Sequence, residues 1–283
     1  MVGISRCLPW KGVIFLLPVA LLLFSLEIIE GVEFQFPLWF LENGWQSNFT
    51  HNIMAFPESM DYAKNKVAEM KSNSKAQDKE DVYIFEHFYI TGKIGMPRRG
   101  LYLEMGALDG RDISNTWAFE KVLGWRGVLL EPSPKPYQRL VKNRPDNVLA
   151  NVAVCGYPRQ VHFIEHEGTG GIFEFMSKSF LQFWHRNVKV EELPIIPCVP
   201  LQRILDTLHI RHIHVFSLDV EGAEYEVLST LDFHRIKFDV ILVESDWHNN
   251  KKNKNVQELL ASKGYSYVGG ALRSDWFIRT DTP

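Results

Sequence analysis

The sequence predicts an α/β fold, a doubly wound and mostly parallel sheet closed by an antiparallel hairpin. Three observations carry this. Short runs rich in Val, Leu and Ile alternate with helix-like segments from about Val82 to the end. Those runs are apolar at nearly every position, as strands covered on both faces are. Glycines and acidic residues gather where two of the runs end, which is where an open parallel sheet binds ligands.

The strand-like runs are LYLEMGA from Leu101, WRGVLLEPS from Trp125, NVLANVAV from Asn147, HIHVFSLDV from His212 and KFDVILVES from Lys237. Between them lie SNTWAFEKVLG, KPYQRLVKNR, LQRILDTLHI and AEYEVLSTLDF. In the third of these Leu201, Ile204, Leu205 and Leu208 share one helical face. Residues 157–200 break the rhythm with QVHFIEHEG, GGIFEFM and ELPIIPCVPL, read as extra strands and a loop that cover one end of the sheet. The tail, GYSYVGG followed by DWFIRT, reads as a closing hairpin with a glycine turn.

Three regions precede or form the domain. Residues 1–31 hold Arg6 and Lys11 ahead of an uncharged apolar run, GVIFLLPVALLLFSL, the pattern of a signal-anchor or a signal peptide. The run is short for a bilayer span and contains Pro18, so cleavage near Gly31 stands beside anchoring. Trp10, Trp39 and Trp45 fit a membrane interface, and no A-x-A-like cleavage site follows, which favours the anchor. Residues 32–81 lose core periodicity and end in a charged run, DYAKNKVAEMKSNSKAQDKED, read as a solvated stem. Residues 82–283 form one domain of ordinary size. The expected location is the secretory pathway, with a lumenal domain held in the Golgi or endoplasmic reticulum by a single span, or secretion if the signal is cleaved. Asn48 lies in an N-x-T acceptor triplet, consistent with a lumenal glycoprotein. Of three cysteines, Cys155 and Cys198 form the only lumenal pair, and both a disulfide and two free thiols fit.

Composition narrows the function. Of 283 residues, 46% are hydrophobic and 23% charged, the balance of a globular chain. A net charge of -3 argues against a nucleic-acid partner, which calls for a basic excess. The first strand-to-helix turn carries Glu104, Gly106, Asp109 and Gly110, a Gly-x-x-x-Gly spacing rather than a dinucleotide or phosphate-loop motif. Carboxylates there repel a pyrophosphate and suit a ligand with positive charge and hydroxyl or amino donors, as S-adenosylmethionine is. Glu131, at the next strand end, is placed to accept both ribose hydroxyls.

With these residues the chain resembles the FkbM-type S-adenosylmethionine-dependent methyltransferases over most of residues 82–280. The resemblance rests on LEMGALDGRDISNTWAFEKVLGWRGVLLEPSPKPYQRLVKNRP, on NVAV and on FSLDVEGAEYEVL. It implies a Rossmann-like methyltransferase fold, S-adenosylmethionine as cofactor and usually a hydroxyl oxygen as acceptor. By that resemblance Glu104, Gly106, Asp109 and Gly110 line the methionine side of the cofactor, Ser114 and Asn115 open the following helix, Glu131 holds the ribose and Asn151 lies near the adenine. Asp219, Glu221, Gly222 and Glu224 form the wall beside the methyl group. Many relatives have Asn where this chain has Leu108.

Methyl transfer to oxygen needs a nucleophile held in line and relieved of its proton, so a carboxylate or imidazole within reach is the minimum. Asp219, Glu221 and His248 are the candidates. Asp219, Glu221 and Asp246 are hard oxygen ligands too scattered to amount to a metal motif, and no metal is expected. Two functions follow: an O-methyltransferase acting on a glycan or small-molecule acceptor, or a membrane-anchored binding or trafficking protein that keeps the fold without turnover. Acceptor choice is expected in residues 157–200 and in the DWHNNKKNKN loop.

Overall fold

A computed structural model describes residues 29, 32–43, 60–166, 168–245 and 249–280. The strands are β1 (Glu33–Gln35), β2 (Leu101–Met105), β3 (Arg126–Leu130), β4 (Val148–Asn151), β5 (Ala153–Val154), β6 (Arg159–Ile164), β7 (Gly171–Ile172), β8 (Ile195–Val199), β9 (His212–Leu218), β10 (Lys237–Glu244), β11 (Tyr265–Ala271) and β12 (Ser274–Arg279). The helices are α1 (Leu38–Asn43), α2 (Met60–Asn73), α3 (Glu80–Ile84), α4 (Trp117–Leu123), α5 (Pro134–Asn143), α6 (Lys178–Trp184), α7 (Leu201–Thr207), α8 (Glu224–Ser229) and α9 (Asn250–Ser262).

The main sheet has eight strands in the order β1-β4-β3-β2-β9-β10-β12-β11. From β4 to β10 every pair is parallel, whereas β12 pairs antiparallel with both β10 and β11. The chain steps outward from β2 to β4, then returns to lay β9 on the other side of β2. That reversal opens a crevice at the carboxyl ends of β2 and β9. Each of the five predicted runs supplies a main-sheet strand, and the predicted tail hairpin is present.

Both faces are covered, as the unbroken apolar runs require. On one face Leu103, Met105, Val128 and Phe216 pack with Ile204 and Leu205 of α7, Val227 of α8 and Leu260 of α9. On the other, Tyr102, Leu129, Val215 and Val240 pack with Met70 of α2, Phe119 of α4 and Leu140 of α5. Residues 157–200 supply three strands of a separate four-stranded sheet, β5-β8-β6-β7, which β5 completes from just before them. A disulfide joins Cys155 to Cys198 across it, settling the open choice for that pair. Closing a loop over a separation of 43 residues is worth roughly 4 kcal/mol in a chain-entropy account.

The stem reading needs correction. Strand β1 pairs antiparallel with β4 at the sheet edge, and Phe34, Phe36 and Phe40 pack on the core. Trp39 donates its indole N–H to the Asp146 carbonyl at 3.0 Å, so it serves the domain rather than a membrane interface. In α2, Ala63 and Met70 are buried and Val67 is half-buried, a narrow stripe at helical spacing hidden among lysines and glutamates. Averaging charge over the segment obscured these two patterns. The apolar run of residues 12–26, Asn48, Asp246 and His248 lie outside the described residues. Among those described, no helix is long and apolar enough to cross a membrane.

Beneath the crevice sits Arg144, fully buried at the end of α5. Its Nε donates to Glu120 Oε2 at 2.6 Å, one terminal nitrogen to the Gly110 carbonyl (2.7 Å) and Ser114 Oγ, and the other to Tyr102 Oη (2.6 Å) and Thr116 Oγ1. Asn147 joins the network by donating to Glu120 Oε2 at 2.6 Å and accepting from the Gly127 N–H at 2.8 Å. Burial works against the Glu120 charge, but Arg144 and Lys121 hold its carboxyl below the usual range. Removing one member of such a network leaves charge buried without compensation. Arg144→Met is therefore expected to destabilise the protein by roughly 3–5 kcal/mol in urea unfolding, and Arg144→Lys to recover only part, because a point ammonium cannot reproduce the five-donor fork.

Candidate functional site

The crevice holds a cleft of about 760 Å³, counting its open mouth. Its floor is Met105, Gly106, Leu130 and Asp219, its sides Glu131 and Ser133, and its apolar end Val152, Phe163 and Ile172. The predicted residues divide into those that face this space and those that hold it open.

Gly106, Glu131, Asp219 and Glu221 face it. Gly106 has φ +74, and a Cβ there would run into the Asp219 carbonyl oxygen, so a bare backbone is required at the floor. Glu131 is held by two backbone donors: the Ser133 N–H to Oε1 at 2.7 Å and the Leu108 N–H to Oε2 at 2.9 Å. Burial raises its pKa to about 7 against the pull of those bonds. Each oxygen keeps a lone pair for a ligand donor. Asp219 ends β9, and burial, then the neighbouring Glu224, raise its pKa to about 6. Glu221 follows with a left-handed φ of 55.

Five predicted cofactor residues do not reach the cleft. Glu104 is buried beneath it, accepting from the Asn115 N–H (2.7 Å), Ser114 Oγ (2.9 Å) and Thr116 Oγ1 (2.5 Å), which fixes the entry to α4. Ser114 is thereby committed to Glu104. Asp109 caps its own turn through the N–H groups of Arg111 and Asp112. Gly110 packs under α5, where a Cβ would strike Leu140 and Arg144. Asn151 donates to the carbonyls of Glu131 and Pro132 at 2.8 and 3.0 Å, bracing the β3 turn. These acids satisfy backbone and hydroxyl donors rather than a ligand's charge. Asn115 lines a different space, a smaller polar pocket adjoining the cleft at Asp219. His248 lies outside the described residues.

Sequence reasoning missed Glu244, at the end of β10. Single carboxylate oxygens of Asp219, Glu221 and Glu244 lie within 4.8 Å of one another. Burial first, then the charges of Asp219, Glu221 and Glu224, raise the Glu244 pKa well above its ordinary value. Behind this cluster the buried Lys252 of α9 pairs with Glu224 at 2.8 Å. A strand-end acid in KFDVILVES was the available signal. Also missed were His166, Gly168 and Gly170, which line the cleft from the loop between β6 and β7, and whose signal was the glycine-rich HEGTGG.

The residues fit S-adenosylmethionine. Gly106 leaves bare backbone at the floor, Glu131 is a carboxylate held by two backbone donors and able to accept from ribose hydroxyls, and Val152, Phe163 and Ile172 offer an apolar surface for an adenine. The chain's N-terminal flank and the small sheet frame the site without supplying Glu131 or Asp219.

The family match is consistent with a methyltransferase domain. Residues 104–267 match the methyltransferase FkbM domain. No curated protein matches the sequence. Among solved structures, methyltransferase FkbM from Methylobacillus flagellatus KT aligns at 10% identity and TM-score 0.39 over 76% of this chain and 58% of that one. The fibrillarin pre-rRNA processing protein of Methanococcus jannaschii aligns at 11% identity and TM-score 0.35 over 65% and 67%. Precorrin-6y C5,15-methyltransferase from Geobacter metallireducens GS-15 aligns at 10% identity and TM-score 0.32 over 81% and 89%. By the family match, and with the Rossmann-like sheet and the cleft at its switch point, the chain belongs to the FkbM family of S-adenosylmethionine-dependent methyltransferases.

Proposed function

We propose that the protein methylates a hydroxyl oxygen of a glycan or small-molecule acceptor in the secretory pathway. The observation that carries this is Asp219, a half-buried carboxylate on the boundary between the cofactor cleft and the adjoining polar pocket. Bound S-adenosylmethionine supplies an electrophilic methyl group on a sulfonium. Asp219 is placed to take the hydroxyl proton as the acceptor oxygen forms its bond to carbon and the sulfonium leaves as a thioether, and its raised pKa makes it a stronger base than an ordinary carboxylate while leaving it ionised at neutral pH. Glu131 orients the cofactor through its ribose. The binding-protein reading draws no support from Glu104 or Asp109, since both have structural work in either case. Asp219 and Glu244 hydrogen-bond each other, two carboxyls at neighbouring strand ends that no helix entry or turn requires.

The disulfide supports a secretory location, because such bonds persist in oxidising compartments. Arg6 and Lys11 then keep the N-terminus cytoplasmic and the domain lumenal. Glycosidase treatment is expected to shift the protein's mobility through Asn48, and alkaline extraction to leave it in the membrane; a soluble protein after extraction means a cleaved signal.

Cofactor binding is expected to follow Glu131. Glu131→Ala should weaken S-adenosylmethionine binding by about 1.5–3 kcal/mol, the range for hydrogen bonds to a charged group, in a folded protein. Ribose hydroxyls donate to the ionised carboxylate, so protonation competes with binding. Calorimetric affinity should therefore rise with pH through about 7 in the wild type, and this dependence should flatten in Glu131→Gln.

Turnover is expected to follow Asp219. With labelled S-adenosylmethionine and a fractionated glycan extract, the wild-type rate should climb as pH rises through about 6, where Asp219 loses its proton. Asp219→Asn should cut turnover roughly 10²–10⁴-fold with little change in cofactor affinity. Equal turnover would move the base to Glu221 or His248, and a wild type without cofactor affinity would sink the reading.

A further inference from the structure

The pocket adjoining the cleft has a volume of about 380 Å³ and lies beyond the carboxyl ends of β9 and β10. Around Asp219 it is lined by Gln77, Glu80, Asn115, Glu244, Arg273 and Ser274. Asp219 and Ile113 belong to both spaces, so a ligand here sits next to whatever occupies the cleft.

Two lining atoms want a donor. Asn115 Oδ1 and Glu244 Oε2 are fully buried and have no hydrogen-bond partner. Asn115 cannot turn away to solve this, because its Nδ2 donates to Ser217 Oγ at 3.0 Å and its backbone N–H to Glu104. A ligand bearing O–H or N–H groups, displacing water, removes the cost of leaving such atoms unpaired. Charge narrows the class. Asp219, Glu80 and Glu244 turn away an anion. A positive charge is already present: Arg273 stands 3.7 Å from Glu244, and Lys252 lies behind. A neutral, donor-rich ligand remains. Among the described residues no aromatic ring lines the pocket, so a flat ring finds no stacking partner.

The walls differ in origin. Asp219, Glu244 and Asn115 lie inside the family-matched residues 104–267, whereas Gln77, Glu80, Arg273 and Ser274 lie outside them. Gln77 lies between α2 and α3 and Glu80 opens α3, in a segment docked by the pairing of Ala76 with Ile113. Asp78 donates its N–H to Glu80 Oε2 at 2.9 Å, which holds that carboxylate in place. Arg273 lies in the turn of the closing hairpin and Ser274 opens β12, anchored where the Ser245 N–H donates to the Arg273 carbonyl at 2.8 Å. By contrast, Phe163, His166 and Ile172 of residues 157–200 line the larger cleft.

We infer that this pocket receives the acceptor, and that Gln77, Glu80, Arg273 and Ser274, from the chain's own flanks, select one presenting several neighbouring hydroxyl groups. The inference rests on the methyltransferase reading and adds the place and the determinants of acceptor recognition.

The test uses the full chain, isotope-labelled and saturated with S-adenosylhomocysteine, titrated by NMR with methyl hexopyranosides and, separately, with cyclohexanol, a ring of matching size bearing one hydroxyl. The hexopyranosides should shift the side-chain amide signals of Asn115 and Gln77 and bind at least about tenfold more tightly than cyclohexanol, since a site built around hydroxyl donors rejects analogues that lack them. Glu80→Gln should reduce that preference by about tenfold and leave S-adenosylhomocysteine affinity within about twofold. Gln77 and Arg273 are exposed, so Gln77→Ala with Arg273→Ala gives the same reading if Glu80→Gln does not fold. Cyclohexanol binding as well as the sugars, signals shifting elsewhere, or a preference that survives the double variant overturns the inference while leaving the cofactor reading intact. Failure to bind S-adenosylhomocysteine overturns both.

Discussion

One buried guanidinium joins the parts that make the site. Arg144 comes from the end of α5, yet its donors reach the Gly110 carbonyl in the turn after β2, the Ser114 and Thr116 hydroxyls ahead of α4, and Glu120 within α4. Those same hydroxyls donate to Glu104. Turn, helix entry and second crossover are thus tied through a single residue, and the position of Gly106 at the cleft floor follows from where that turn is held. A network of this kind is worth having only when every member is satisfied, because the low dielectric that strengthens each bond also penalises each missing one. All five guanidinium donors have partners.

The fold was legible because burial on both faces of a parallel sheet writes itself as uninterrupted apolar runs. LYLEM, RGVLL and KFDVILVE could belong to little else. The site was legible only in part. Glu131 and Asp219 stand at strand ends and project into the crevice, so strand position predicted their role. Glu104, Asp109 and Ser114 look the same in sequence, but their partners are backbone N–H groups and hydroxyls one turn away, and a list of residues does not say which donor an acid will meet. Asn151 was misplaced for the same reason, its amide being taken by carbonyls of the neighbouring strand end.

The flanks were the harder case. A helix carrying lysines and glutamates on most of its surface reads as solvated, and the buried stripe of α2 is only Ala63, Val67 and Met70 wide. Likewise the polar pocket draws residues from before the first long strand and from the final hairpin, nearly two hundred positions apart. No local pattern announces such a meeting. It is a product of sheet order: placing β9 and β10 beside β2, and β12 beyond them, brings the last turn of the chain over the same crevice that the segment after α2 approaches from the other side.

The antiparallel seat of β1 on β4 has a practical consequence for where the protein can be cut. Glu33–Gln35 pairs with Leu149–Asn151 and covers the last row of main-chain donors and acceptors on that side of the sheet. A truncated version beginning at Val82, which the sequence alone would recommend, loses that cover and leaves β4 as an open edge of apolar residues, a template on which a second chain can add a strand. Such a fragment would be prone to clump through that edge, besides losing the core packing of Phe40 and Met70. Versions meant for crystallisation or screening should therefore begin before Ile29, and poor behaviour of a shorter piece would say nothing about the enzyme.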